Sequence, residues 1–151
     1  MATNASVDRR HNLYGGRVIA ADPRRASAER QLMDQPPYGM DKSRRDTVLA
    51  SLCERCTERH WNLLATHVRT NHVHIVVEAE ARPERVMNDL KSFASRCLSR
   101  QGLDEPARKR WARHGSTRWL WKPEDVSAAI RYVVDGQGDP MAVLEAAEPG
   151  R

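Results

Sequence analysis

Three stretches of the chain carry apolar residues at the spacing of an amphipathic helix. The first begins at Asp41, which suits a helix N-cap, and runs to about His60; the second begins at Pro83; the third begins at Pro123 and ends at Gly136. Their apolar stripes are Val48, Leu49, Leu52 and Cys56; Val86, Met87, Leu90, Ala94, Cys97 and Leu98; and Val126, Ala129, Ile130, Val133 and Val134. The pattern therefore predicts three helices.

Strand-like runs lie between these helices. Residues 62–69 and the β-branched run from residue 72 are joined by Arg69-Thr70-Asn71, which predicts a hairpin. Ser116–Trp121 predicts another short strand, and Val18-Ile19 hints at a first one. With that first strand, the order of elements predicts an α+β fold: a ferredoxin-like split β-α-β antiparallel sheet, with helices on one face and a C-terminal helix that bears a tyrosine.

The breakers Gly15-Gly16, Pro23 and Pro36-Pro37 cluster before the first predicted helix. We therefore expect an irregular N-terminal region over residues 1–40, a folded domain over 41–141 and a tail over 142–151. A length of 151 residues suits one domain with one core.

The charge balance favours a nucleic-acid partner. The chain has 25 lysines and arginines against 20 aspartates and glutamates, and most of the cations are arginine, which pairs with phosphate through two hydrogen bonds. A genome whose base composition favours arginine codons would produce the same bias. Three cysteines do not suggest a disulfide framework, and we find neither a signal peptide nor an apolar run of membrane-spanning length. We therefore expect a cytoplasmic protein without membrane contact.

His72 and His74 lie two residues apart at the start of the β-branched run. Side chains on a strand alternate between faces, so both imidazoles point the same way and could hold one metal ion. The same spacing also occurs on solvated sheet faces.

Tyr132 lies off the apolar stripe of the third predicted helix. Since helical residues turn by about 100° each, its side chain falls at the margin of that stripe, where the hydroxyl can reach a cleft. An amphipathic tyrosine with a solvated tip is the alternative interpretation.

Two further patterns suggest chemistry but have simpler explanations. Cys53 and Cys56, with His60, have metal-ligand spacing, but no second pair completes a zinc site, and buried helical cysteines are the preferred interpretation. Trp119 and Trp121 alternate with cations and could stack on bases, although packing in the core is the preferred interpretation.

The combination of these patterns resembles the single-tyrosine HUH transposases, the insertion-sequence 200-like and REP-associated tyrosine transposase family. The resemblance spans about Asp41 to Met141. It rests on the stretches Arg69-Thr70-Asn71-His72-Val73-His74-Ile75-Val76-Val77, Leu90-Lys91-Ser92-Phe93-Ala94, His114-Gly115-Ser116-Thr117-Arg118-Trp119-Leu120-Trp121 and Ala129-Ile130-Arg131-Tyr132-Val133-Val134-Asp135-Gly136-Gln137-Gly138.

The resemblance implies that the chain nicks and transfers single-stranded DNA in DNA transposition. His72 and His74 would bind a divalent metal, Mg²⁺ or Mn²⁺, and Tyr132 would form a 5′-phosphotyrosine intermediate. A third ligand is expected one helical turn after the tyrosine, where Gly136 cannot ligate; Gln137 is preferred and Asp135 is the alternative.

The resemblance further implies single-stranded or hairpin DNA as the partner, and a homodimer. The residues assigned to DNA contact are Arg69, Asn71, Lys91, Arg118 and Arg131. The weak first strand and Gly136 also suit an alternative: a degenerate or domesticated transposase-like protein that binds DNA hairpins without catalysis.

Overall fold

The computed structural model describes residues 35–147 of the chain. This part contains three helices and three strands: α1 (Lys42–Arg59), β1 (Asn62–Val68), β2 (Val73–Glu78), α2 (Pro83–Arg100), α3 (Pro123–Asp135) and β3 (Ala142–Glu145). The strands form one antiparallel sheet in the order β2-β1-β3. The α+β class and the three predicted helices are confirmed.

The chain divides into two compact units. The described residues of the larger unit, 38–111 and 117–147, contain all the helices and strands named above. The described residues of the smaller unit, 35–37 and 112–116, form neither helix nor strand. The possible first strand at Val18-Ile19 lies outside the described residues, so the complete split β-α-β sheet stays a prediction.

The helix boundaries follow the start and stop signals in the sequence. The Asp41 carboxylate accepts a hydrogen bond from the Arg44 backbone N–H (3.0 Å) at the first turn of α1. Both α2 and α3 begin at a proline, whose missing N–H is not needed at that position. Gly136 follows α3 as its C-cap and donates its N–H to the Tyr132 carbonyl. None of the helices within residues 35–147 has the length and apolarity needed to cross a bilayer.

The predicted hairpin is confirmed. β1 and β2 pair from Asn62↔Glu78 to Val68↔Val73, with a register shift between Leu63 and Ala65. The Arg69 N–H closes the turn on the His72 carbonyl (2.9 Å). This tight connection sets the register, and therefore decides which side chains share a face.

Helices cover both faces of the sheet. Val68 and the β2 residues Val73, Ile75 and Val77 pack with α1 and α2, whereas Ala65 and Val76 pack with α3 through Val133. α1 and α2 therefore share one face, and the helix that bears Tyr132 lies on the other. Because side chains alternate along a strand, His67 and His74 share the α3 face with Ala65 and Val76.

The predicted strand at Ser116–Trp121 is wrong: these residues form no strand, and the third strand is Ala142–Glu145, in the segment predicted as a tail. Thr117 donates its hydroxyl to the Glu84 carboxylate, and Leu120 packs in the α3-side core, so these contacts hold the segment without strand pairing. A strand requires a partner edge, and β3 occupies the edge of β1 that is not paired with β2.

The expected core packing of the two tryptophans is also wrong. Trp119 is 50% exposed and Trp121 is 79% exposed, whereas Leu120 between them points inward. Cys56 and Cys97 are buried in helices and Cys53 is partly buried, as expected, and all three are free thiols. Burial raises the pKa of Cys56 to about 11. An unreactive packing role follows for that thiol.

A carboxylate whose side chain is only 8% exposed, that of Asp104, ties α1 to the loop that follows α2. Asp104 accepts hydrogen bonds from the Tyr38 hydroxyl (2.5 Å) and from the Arg44 and Arg110 guanidinium groups (both 3.0 Å). Burial alone would raise the pKa of Asp104, but these hydrogen bonds outweigh it and hold the pKa below its usual range. Burial and the Asp104 charge raise the pKa of Tyr38 to about 12.

Candidate active site between the histidine strand and helix α3

Two histidine rings lie side by side on the α3 face of the sheet. His72 precedes β2 and His74 lies within it, and their ring centroids are 5.0 Å apart with an interplanar angle of 85°. Burial, together with the nearby His72, His67 and Arg69 side chains, lowers the pKa of His74. His74 is therefore neutral near pH 7, the form in which an imidazole can ligate a metal.

Tyr132 of α3 meets this pair edge-on. The centroid of its ring lies 5.8 Å from that of His74, with an interplanar angle of 88°. The tyrosine is 57% exposed, so its ring contacts the histidine while a substrate can still approach it. Residues far apart in the sequence thus meet at one exposed site.

Gly136 shapes the position of Tyr132. A Cβ at residue 136 would lie 2.8 Å from the Tyr132 carbonyl oxygen and 2.9 Å from its ring Cδ2. Both distances are shorter than carbon atoms tolerate, so the tyrosine ring occupies space that only glycine leaves open. The residue that cannot ligate a metal therefore positions the proposed nucleophile.

Gln137 follows at the end of α3 and turns its side chain toward His72. Its Oε1 lies 3.4 Å from His72 Nε2, and its Nε2 is buried without a hydrogen-bond partner among the described residues. His72 Nδ1 lies 2.7 Å from Asn71 Oδ1; when it donates its proton there, its Nε2 keeps a lone pair. Two acceptors, an imidazole nitrogen and an amide oxygen, then converge. Asp135, the alternative ligand, is exposed.

These donors suit a divalent cation. Among residues 35–147, no three His, Cys, Asp or Glu side chains form a metal-binding group. The side chains that could hold a metal here are instead His72, His74 and, through its amide oxygen, Gln137; this set would leave coordination positions for water or phosphate. Nitrogen and oxygen ligands with open positions are typical of catalytic rather than structural metal sites.

His67, which no sequence pattern singled out, lies behind the site. Its ring is fully buried; Nδ1 donates to the Val133 carbonyl (3.1 Å), and Nε2 accepts from the Met141 N–H (3.1 Å). Burial lowers the pKa of His67, so the ring is a neutral link between β1, α3 and the start of β3. The hairpin register was the signal that could have identified this residue, because it pairs His67 with His74.

The residues assigned to DNA contact fall in different places. Asn71 contacts His72, and Arg69 donates to the Asp139 carbonyl (2.9 Å) beside the site. Arg131 is exposed and adjacent to Tyr132 in α3, and Arg118 is exposed before that helix. Lys91 lies in α2, in the layer on the other face of the sheet, and is partly buried there. The structure therefore brings Arg69 and Asn71 to the histidine site and separates Lys91 from it.

The α+β fold places His72 just before β2, His74 within β2 and Tyr132 on the facing helix α3. The family model described as "Transposase IS200 like" matches residues 39–122, more than half of the chain. The chain belongs to the IS200-like transposase family, and the resemblance drawn from the sequence is confirmed. The matched segment contains His72 and His74 and ends before Tyr132. No curated protein and no solved structure matches the chain.

Membership of this family supports a transposition-related role and implies DNA as the partner. The net charge of +5 is compatible with such a partner.

Proposed function

We propose that the chain nicks and rejoins single-stranded DNA through a covalent tyrosine intermediate, in a metal-dependent reaction of DNA transposition. The observation that carries this proposal is the meeting of Tyr132 with the His72–His74 pair across the α3 face of the sheet. A nucleophile beside a potential metal site is one arrangement that supports transfer of a phosphoryl group.

His72, His74 and Gln137 would hold the metal, Mg²⁺ or Mn²⁺. When bound, a divalent cation polarises a scissile phosphate and stabilises the charge that develops on it. The convergence of His72 Nε2 and Gln137 Oε1, with the Gln137 amide nitrogen left unpaired, supports this donor set. The contact between Asn71 and His72 orients the ring so that Nε2 faces the site.

Tyr132 would attack the scissile phosphorus. The bond between its phenolic oxygen and phosphorus forms while the bond from phosphorus to the 3′ oxygen breaks. The phenolic proton passes to water, and the 3′ oxygen takes up a proton as it leaves. The product is a 5′-phosphotyrosine and a free 3′-hydroxyl. Since one phosphodiester replaces another, a second 3′-hydroxyl can reverse the step and join a new strand without ATP.

The neighbouring cations would hold the strand. Arg131 is exposed next to Tyr132, and Arg69 lies beside the histidines, so both are near the place that a scissile phosphate would occupy. A hairpin stem beside an unpaired segment is the DNA form that we propose, with a homodimer as the active assembly.

The direction of attack gives a sharp test. A library of hairpin oligonucleotides with randomised single-stranded flanks is labelled at the 3′ end and incubated with the full chain and Mn²⁺. The 3′ label should migrate with the denatured protein, whereas a 5′ label should appear only in a shortened free strand. EDTA and Tyr132→Phe should each abolish the adduct, and Tyr38→Phe, a tyrosine bonded to Asp104 rather than to the site, should retain it.

Two outcomes contradict the proposal. An adduct that persists in Tyr132→Phe would exclude this residue as the nucleophile. Hairpin binding without an adduct in either metal would identify a DNA-binding protein that has lost catalysis.

A further inference from the structure

Trp119 and Trp121 form a stacked aromatic pair on the surface. Their ring centroids are 5.1 Å apart and their planes differ by only 7°. Trp119 is 50% exposed and Trp121 is 79% exposed, so two large hydrophobic side chains lie on the surface just before α3. Leaving two indoles in water costs free energy that burial would recover, so such a pair is typical of a binding surface.

The pair lies on a segment that is held at both ends. Thr117 donates its hydroxyl to the Glu84 carboxylate (3.1 Å), Leu120 packs against the α3-side core that contains Val133, and Pro123 begins α3. With Leu120 turned inward, its two neighbours are turned outward. The tryptophans are therefore presented by an anchored backbone, and little additional ordering is needed for binding.

The chemistry around the pair favours unpaired bases as the occupant. Arg118 and Lys122 flank the tryptophans in the sequence, and both are exposed. Cations beside flat aromatic rings suit a single strand of nucleic acid, whose phosphates are anionic and whose bases have flat faces that stack. The exposed outer face of Trp121 can extend the existing stack by one more ring.

We propose that Trp119 and Trp121 form a stacking site for unpaired bases of the DNA strand that the enzyme processes. The inference rests on the proposed function for the identity of the strand. Tyr132 follows Lys122 by ten residues, about 15 Å along α3 at the helical rise. A strand stacked on the pair would therefore lie a few nucleotides from the phosphate that Tyr132 attacks.

The test separates base stacking from attraction to phosphate. The full chain is titrated, in EDTA to prevent cleavage, into a fluorescein-labelled 12-nucleotide oligothymidylate and into an abasic oligomer of the same length and charge. Fluorescence anisotropy should show tighter binding of the oligothymidylate. Trp119→Leu with Trp121→Leu should weaken that binding about 5- to 150-fold, as expected for the loss of a base stack, without affecting the abasic oligomer.

The matched control keeps aromatic rings at both positions. Trp119→Tyr with Trp121→Tyr should retain most of the preference for the oligothymidylate, whereas the leucine variant, although apolar, should not. Equal binding of the two oligomers by the unmodified chain would overturn the inference, whether or not the variants fold. A leucine variant with unchanged DNA affinity but altered self-association would overturn it in favour of a contact between copies of the chain.

This inference and the proposed function fail in different assays. The binding assay is run in EDTA, where no adduct forms, so its outcome does not depend on the reaction of Tyr132. An unmodified chain that prefers bases but never forms an adduct would contradict the catalytic proposal alone. An unmodified chain that forms the adduct but binds both oligomers equally would contradict the stacking inference alone.

Discussion

His67 and His74 are paired across the β1–β2 hairpin, and the protein uses the two rings differently. Both nitrogens of His67 are engaged by backbone groups, at the Val133 carbonyl and the Met141 N–H. His74 instead lies between the His72 and Tyr132 rings at the partly exposed site. One histidine therefore holds α3 in place, and the other faces the position where a substrate would bind.

Replacing the buried histidine should destabilise the fold. His67→Ala would remove the side chain that hydrogen-bonds the Val133 carbonyl and the Met141 N–H, and a buried group left unsatisfied costs about 1–3 kcal/mol. We expect the free energy of unfolding, measured in urea, to fall by at least about 2 kcal/mol. The control is His72→Ala, an exposed change that should alter stability by less than about 0.5 kcal/mol. Similar stability of the two variants would refute the linking role of His67.

Gly136 gives a second prediction, on rate rather than stability. In Gly136→Ala the new Cβ would press on the Tyr132 carbonyl and ring, so the tyrosine must move from its place beside His74. Small displacements of a reacting group lower rates steeply, and we expect adduct formation to slow by about tenfold or more at saturating DNA. Hairpin affinity should change little.

The matched control for this change is Gly39→Ala, because a Cβ at residue 39 would have no atom within 4 Å. A Gly136→Ala variant that forms the adduct at the unmodified rate would show that the ring has room to adjust.

Local patterns predicted much of this architecture, whereas features that depend on distant partners were missed. The face shared by His72 and His74 follows from strand alternation, and the starts of α2 and α3 follow from Pro83 and Pro123. Trp119 and Trp121 alternate in the same way as strand residues, but no neighbouring edge pairs with them.

In the candidate site, too, local patterns could be predicted and contacts between distant residues could not. Tyr132 could be recognised because its position off the apolar stripe is a property of one helix. The contact of Gln137 with His72 and the buried links of His67 depend on how α3 meets the sheet. Such contacts join residues more than sixty positions apart, and no periodicity within a single element encodes them.

The Asp104 network predicts a loss of stability in acid. The folded-state pKa of Asp104 lies below its ordinary value, so the carboxylate stabilises the fold above the unfolded-state pKa of about 3.9. That contribution is lost as the pH falls through the lower, folded-state pKa. Asp104→Asn should therefore reduce the free energy of unfolding by about 2–3 kcal/mol at pH 7, and the difference should shrink in acid.

Urea denaturation from pH 7 to pH 2.5 measures this difference, with Asp46→Asn as the control. Asp46 forms an exposed pair with Lys42, so its replacement should alter stability only slightly across the range. A constant difference between Asp104→Asn and the unmodified chain at all pH values would exclude the carboxylate charge as its cause.

Gln137 and Asp135 can be separated as third ligands by the metal dependence of the adduct. Gln137→Ala removes the oxygen that faces His72 Nε2. The Mn²⁺ concentration that gives half-maximal adduct formation should therefore rise by about tenfold or more. Gln137→Glu, which restores an oxygen and adds charge, should recover the metal affinity. Asp135→Asn is the matched control, since this exposed carboxylate should leave the Mn²⁺ requirement unchanged. The reverse result, with Asp135→Asn impaired and Gln137→Ala unaffected, would transfer the ligand role to Asp135.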